Sequence, residues 1–273
     1  EMLMRHKDVA FILATGGASM VKAAYSSGKP AIGVGPGNAP TFVAPDADLT
    51  HAAASIVASK SFDNGLICGS EHNLVTTAAT REGLVASLAA HGAAVLAPDE
   101  VTKLTQCVVP PGEFRFRPEV VGQSAAAIAK VAGITRPHPI GLLVVPTDDA
   151  KPGNPWAHEK MAPMVSLFTV ADTEAAIALA QRLLEIEGKG HTAIIHTRDR
   201  ALARRYGLAM PASRILVNSP GSQGIVGHTT NLKPSFTLGC GTFGGNSTTD
   251  NVTFAHLLNV KRLAEFVAPP SSS

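Results

Sequence analysis

Cys68 is the residue whose surroundings best suit chemistry. It lies in the run Ser61-Phe62-Asp63-Asn64-Gly65-Leu66-Ile67-Cys68-Gly69-Ser70-Glu71. A helical pattern over 47–61 precedes it, and the strand-like Asn73-Leu74-Val75-Thr76-Thr77 follows. Asp-Asn-Gly stops a helix and admits left-handed backbone, so the cysteine falls on a turn. A thiol on a turn, with small neighbours and backbone N–H groups nearby, is accessible and can ionise more readily than a free thiol. Such a group does covalent chemistry: a thiolate adds to a carbonyl carbon and later leaves. The alternative for any single cysteine is an inert packing residue.

Two further places carry polar chemistry. Thr15-Gly16-Gly17 separates an apolar run at 9–13 from a helical pattern at 19–27. Backbone N–H groups at that helix start can face a phosphate or a carboxamide. The alternative is a tight turn that merely requires glycine. The dinucleotide fingerprint Gly-x-Gly-x-x-Gly, with an acidic residue about 20 residues on, is absent. His158 and Glu159 stand side by side. An imidazole that titrates near neutrality suits proton transfer, although a structural histidine and a surface carboxylate explain the pair as well. The three cysteines (Cys68, Cys107, Cys240) form neither a disulfide framework nor a metal motif, and the histidines show no metal spacing.

The elements that position these groups alternate. The first strand, glycine turn and helix are followed by a second strand at 31–34, which predicts a parallel pair. Beyond Cys68 the pattern predicts helices over 81–91, 99–107, 123–131, 173–187 and 198–206, with strands over 94–96, 140–145, 165–170, 191–196 and 214–217. The 173–187 segment is the clearest amphipathic helix. Such alternation makes an α/β fold. Residues 35–40 read as irregular, with 41–43 leading into the helix before Cys68. Residues 218–250 read as a long functional loop. A final element is predicted over 254–266, then a frayed end over 268–273.

Composition bounds the function classes. Of 273 residues, 45% are hydrophobic and 16% charged, which fits a globular chain and excludes a disordered one. The net charge of +2, without a basic cluster, gives no reason to expect nucleic acid or an anionic membrane surface as partner. No apolar run approaches the roughly 20 residues that span a bilayer, and the N-terminus does not read as a secretion signal. A cytoplasmic location is expected.

The segment Phe62-Asp63-Asn64-Gly65-Leu66-Ile67-Cys68 resembles the nucleophile segment of CoA-acylating aldehyde dehydrogenases, especially the aldehyde half of bifunctional aldehyde–alcohol dehydrogenases. Four more blocks fall in that family's order: Ile12 to Gly17, Ser26 to Gly35, His158 to Pro163, and Leu238 to Ser247. The resemblance runs from about Asp8 to Leu263. It implies a remnant of a Rossmann-type cofactor domain over 1–64, a complete α/β catalytic domain over 65–245, and a C-terminal return and oligomerisation segment over 246–273. It also implies that the upstream part of the cofactor domain, with an oxyanion-hole asparagine, belongs to a longer chain.

The resemblance assigns Cys68 as nucleophile and His158 as acid or base on the CoA thiol. It assigns Thr15, Gly16, Gly17, Gly35 and Glu159 to the cofactor, with Glu159 on the nicotinamide ribose. NAD is the implied cofactor, CoA the co-substrate, a short aldehyde such as acetaldehyde the substrate, and a homo-oligomer the assembly. Hydrolytic members carry Glu-Leu-Gly-Gly-Lys-x-Pro upstream of the cysteine, and that glutamate activates water. Aligning its proline on Pro40 puts Val34 where the glutamate would stand, so the thioester is expected to wait for CoA. The rival readings are a hydrolytic aldehyde dehydrogenase and a catalytically silent assembly module.

Overall fold

The computed structural model describes residues 2–269 and builds two parallel sheets. A short helix α1 (Met2–Arg5) precedes strand β1 (Ile12–Thr15), helix α2 (Ala18–Tyr25) and strand β2 (Ala31–Val34). β1 and β2 pair in parallel as the smaller sheet, Ile12 opposite Ala31. The chain continues through β3 (Pro40–Val43), α3 (Leu49–Ser61), β4 (Asn73–Thr77), α4 (Ala78–Ala90) and β5 (Ala93–Val95). Then come α5 (Pro98–Val108), α6 (Ala125–Val131), β6 (Leu142–Pro146), β7 (Met164–Val170) and α7 (Thr173–Ile186). β8 (Gly190–His196), α8 (Arg200–Ala209), β9 (Ala212–Val217) and α9 (Gly221–Ile225) complete it. The larger sheet has the order β5-β6-β7-β4-β3-β8-β9 and is parallel at every pairing.

Neighbouring residues in a strand point to opposite faces, and here both faces are covered. Phe42, Val75, Phe168 and Ile195 face α7 and α8, where Leu183, Leu184 and Tyr206 meet them. Val43, Leu74 and Leu167 face α3 and α4, against Ile56, Leu84 and Leu88. Burial on both sides explains why these strands read as nearly continuous apolar runs. Helix starts are set by side-chain caps: Asp48 accepts from the His51 N–H and Asp172 from the Ala175 N–H.

The structure differs from the sequence expectations in four places. Residues 40–43, read as a lead-in, form β3, which lies between β4 and β8 inside the larger sheet. Four residues opening on proline give little signal, yet proline is tolerated as the first residue of a strand. The two sheets therefore separate between Val34 and Pro40, ahead of the unit boundary expected after residue 64. The 218–250 loop contains the short helix α9. At the C-terminus a 3-10 turn, Phe254–Leu257, replaces the longer element expected over 254–266, and no regular element follows it through residue 269. The last part of the expected frayed end, 270–273, lies outside the described residues. Among the described helices none is long and apolar enough to cross a membrane.

The core makes a stability prediction. Leu183 is fully buried and Leu208 is 77% exposed. Leu183→Ala is expected to cost about 2–5 kcal/mol through lost transfer energy plus a cavity. Leu208→Ala should stay within about 0.5 kcal/mol. Urea unfolding of the two variants checks both values.

Candidate active site

All but one of the residues assigned to the site in the sequence come together where the two sheets meet. Cys68 precedes β4, Glu159 precedes β7, and Gly35 lies between β2 and β3. Thr15, Gly16 and Gly17 sit at the C-terminal end of β1. The C-terminal edge of the small sheet thus faces the N-terminal edge of the large one. Between them is a cavity of about 350 Å³ lined by Thr15, Gly16, Gly17, Gly35, Cys68 and Glu159. Leu66, Ile67, Val226, Phe236 and Leu238 make its apolar walls.

The turn that presents Cys68 has the backbone its sequence calls for. Asp63, Asn64 and Gly65 are all left-handed, with φ of 48°, 47° and 73°. Aspartate and asparagine are the non-glycine residues that tolerate this region best. The Asn64 amide donates to the Gly122 carbonyl at 2.9 Å, and a Cβ on Gly65 would run into the Ala162 carbonyl. The Ser70 N–H donates to the Ile67 carbonyl at 2.9 Å and closes a turn around the cysteine. Gly37 packs its bare backbone onto the Cys68 carbonyl, leaving no room there for a side chain.

The partner of the Cys68 thiol is His191, the second residue of β8, with Sγ and Nε2 3.2 Å apart. The tautomer that leaves Nε2 free to accept the thiol proton carries its hydrogen on Nδ1, where Thr192 Oγ1 receives it at 2.8 Å. Part of Cys68 faces the cavity, but enough protein surrounds its sulfur to push the thiol up to about 12. Burial does most of this, and the Glu159 and Cys240 charges add to it. His191 is fully buried and held down to about 3 by desolvation, then by the Arg214 guanidinium. Thiol and imidazole therefore rest as a neutral pair.

His158 does not reach the cavity, contrary to the sequence expectation. Its Nδ1 lies 3.1 Å from Glu187 Oε2 and its Nε2 2.7 Å from the Pro152 carbonyl oxygen, while the ring packs on Phe114. The backbone here is extended, so adjacent side chains point to opposite sides. Glu159 turns into the cavity and His158 away from it. Glu159 Oε1 accepts from the Gly37 N–H at 2.8 Å, and the Glu159 N–H donates to Glu187 Oε2 at 2.9 Å. Burial, and then the Glu187 charge, raise the Glu159 carboxyl to about 7 against the Gly37 hydrogen bond.

Sequence reasoning missed His191 and Arg214. His191 has no motif of its own. Only the topology, which sets the starts of β4 and β8 at one edge of one sheet, puts it beside Cys68. Arg214 is buried, and it shapes the loop that supplies Leu238. Its Nε donates to Asn251 Oδ1 at 2.7 Å, and its two NH groups donate to the carbonyls of His191, Gly239, Thr249 and Asp250. Cys240, in the same loop, is buried, and its thiol is raised to about 11 by that burial.

This geometry has known counterparts. The aldehyde dehydrogenase family profile matches residues 1–236. The chain is 41% identical over 271 residues to aldehyde-alcohol dehydrogenase 2 of Entamoeba histolytica, covering 96% of this chain and 31% of that protein. An acetylating aldehyde dehydrogenase from Geobacillus thermoglucosidasius superposes with a TM-score of 0.93 at 42% identity, over 99% of this chain and 60% of that one. The propionaldehyde dehydrogenase of Rhodopseudomonas palustris, solved with bound CoA and an acylated cysteine, gives a TM-score of 0.81 at 29% identity, over 90% and 55%. The chain thus spans about a third of the curated relative's length.

Two outcomes follow from the geometry. A thiol raised to about 12 is mostly protonated across the neutral range. Alkylation of Cys68 by iodoacetamide should therefore still be rising at pH 10, where an accessible thiol with a pKa of about 8.5 has levelled off. In Gly37→Ala the new Cβ displaces the Cys68 carbonyl, and Cys68 alkylation should change at least about tenfold while the far-UV circular dichroism is kept.

Proposed function

The chain belongs to the aldehyde dehydrogenase family, and we propose that its site belongs to a CoA-acylating aldehyde dehydrogenase. The reaction is aldehyde + CoA + NAD⁺ to acyl-CoA + NADH + H⁺, by way of a thioester on Cys68. The observation that carries this reading is the Cys68–His191 pair at 3.2 Å, its cysteine lining a cavity where Glu159 is the one carboxylate among the described lining residues.

The residues present fit a nicotinamide cofactor. A Cβ on Gly17 or Gly35 would meet no atom within 4 Å and would project into the open cavity instead. Thr15, Gly16, Gly17 and Gly35 would hold the cofactor with close backbone contacts, and Glu159 would receive a ribose hydroxyl. When bound, the cofactor supplies the hydride acceptor.

Cys68 gives its proton to His191 Nε2 as its sulfur bonds to the aldehyde carbon. The transfer makes an imidazolium beside the new oxyanion, so charge is separated within the site while its net charge is unchanged. The Cys68 backbone N–H can stabilise the oxygen that becomes negative. After oxidation the carbon is held as a thioester on Cys68 Sγ. His191 Nε2 gives up that first proton, the H⁺ of the overall reaction, before it takes the proton of the CoA thiol, whose sulfur attacks the thioester carbon; Cys68 leaves as a thiolate and regains the proton from His191.

Hydrolysis needs a base for water, and Val34 supplies none: it is an apolar residue, fully buried at the end of β2. The walls formed by Leu66, Ile67, Val226, Phe236 and Leu238 suit a short apolar aldehyde, acetaldehyde being the reference case, and among the described residues no cationic side chain lines the cavity to receive a second carboxylate. The apolar C-terminal stretch supports a homo-oligomer, since Phe254, Leu263 and Phe266 are 77%, 92% and 89% exposed.

The test is NADH formation from acetaldehyde with and without CoA in the full-length protein. CoA-dependent NADH with acetyl-CoA as product is expected. Cys68→Ala should abolish it, and His191→Ala should lower kcat about 10²- to 10⁴-fold. NADH formed equally without CoA, with acetate as product, would overturn the acylating reading.

A further inference from the structure

Lys60, the penultimate residue of α3, is fully buried in an otherwise polar knot behind Cys68. Its Nζ lies 3.0 Å from Ser70 Oγ, 3.2 Å from His72 Nδ1 and 2.7 Å from the Lys160 carbonyl oxygen. The first two partners follow Cys68 in its turn, and the third adjoins Glu159. His72 Nδ1 also accepts the Lys160 N–H at 2.9 Å, so that nitrogen is an acceptor and the ring hydrogen sits on Nε2. Two of the three partners of Lys60 are therefore acceptors only. The third, the Ser70 hydroxyl, can either accept or donate.

We propose that Lys60 is a proton-exchanging positioning residue for Cys68: its amino group gains or loses a proton among the same three partners, and its charge sets how readily the thiol ionises. As an ammonium, Lys60 donates to Ser70 Oγ, His72 Nδ1 and the Lys160 carbonyl. As an amine it donates to the last two and accepts from the Ser70 O–H. Only a hydroxyl hydrogen has to turn, so neither state leaves Nζ unsatisfied, and the proton is exchanged with solvent.

The surroundings keep both states within reach. Burial pulls Lys60 down to about 7, while the charges of Glu159 and then Glu71 favour the ammonium. Glu71, in the Cys68 turn, and Glu159, beside β7, are each raised to about 7, chiefly by burial. His72 and Lys160 lie well below their ordinary values, again chiefly through burial, with the Lys60 charge pushing each further down. His191, Arg214 and Cys240 face the thiol from the β8, β9 and loop side. Burial by itself disfavours the thiolate, and a cation behind the turn opposes that penalty.

The proposal rests on Cys68 being the nucleophile, but its test reads the thiol directly and needs no dehydrogenase activity. Cys68 alkylation by iodoacetamide is followed from pH 5.5 to 9.5 by mass mapping of the Cys68 peptide. The native chain should show two rising limbs joined by a shoulder near pH 7, where Lys60 loses its charge. In Lys60→Met the shoulder shrinks to the part that Glu159, which also lies near 7 and acts on the thiol, contributes. The variant's rate at pH 6 falls about three- to tenfold, the size of one partly screened charge, while the rate at pH 9 is kept. Ser70→Ala takes an acceptor from the ammonium, whose charge-assisted hydrogen bond is the stronger of the two, and should move the shoulder to lower pH, which also decides the matter if Lys60→Met fails to fold. A native profile without a shoulder, an equal slowing of Lys60→Met at every pH, or an unmoved shoulder in Ser70→Ala would overturn the proposal.

Discussion

A buried polar network along the N-terminal edge of the large sheet is the constraint on which the site depends. Lys160 Nζ donates to Asn73 Oδ1 and to the His158 carbonyl. The Asn73 amide donates to Asn38 Oδ1, and the Asn38 amide donates to the carbonyls of Ala157 and Leu183. Lys60 joins the same knot through His72 and the Lys160 carbonyl. Desolvating such groups is costly, and they are tolerated in a core only when their hydrogen-bonding capacity is met with good geometry. The network therefore specifies how the approaches to β3, β4 and β7 sit relative to one another. Those approaches carry Gly37, Cys68 and Glu159.

Desolvation also sets the chemical state of the site. The same burial that raises the Cys68 thiol lowers His191, so the resting pair carries no charge. A protonated sulfur is a poor nucleophile and a poor target for oxidants. On the proposed reading of Cys68 as nucleophile, the thiolate forms in concert with substrate instead of waiting free. His191 is fixed on its far side by Thr192, and its strand is bound through the His191 carbonyl to Arg214. That arginine spends its remaining N–H groups on the glycine-rich loop, so the base and the cavity wall share one anchor.

Much of this was legible in residue order. The alternation of apolar runs and amphipathic segments corresponds to most strands and helices of the large sheet, because a strand buried on both faces must be apolar along its length. Asp63-Asn64-Gly65 marked a left-handed stop, and the backbone adopts one. Thr15, Gly16, Gly17, Gly35 and Glu159, separated by more than a hundred positions, line one cavity with Cys68. β3 escaped notice because four residues after an irregular, glycine-rich stretch carry almost no periodicity. His158 misled because adjacency to Glu159 in the chain puts it on the opposite side of an extended backbone.

By itself the sequence determined most of the strands and helices, where the turn carrying Cys68 must lie, and that no carboxylate stands at Val34. These are local properties: periodicity, turn chemistry and residue identity act over a few positions. Only the tertiary structure decided that His191 meets Cys68, that His158 does not, and that Lys60 lies buried behind the turn. Those outcomes depend on the order in which strands pair. A parallel sheet brings together strand starts far apart in the chain, and no local rule encodes which histidine arrives beside which thiol.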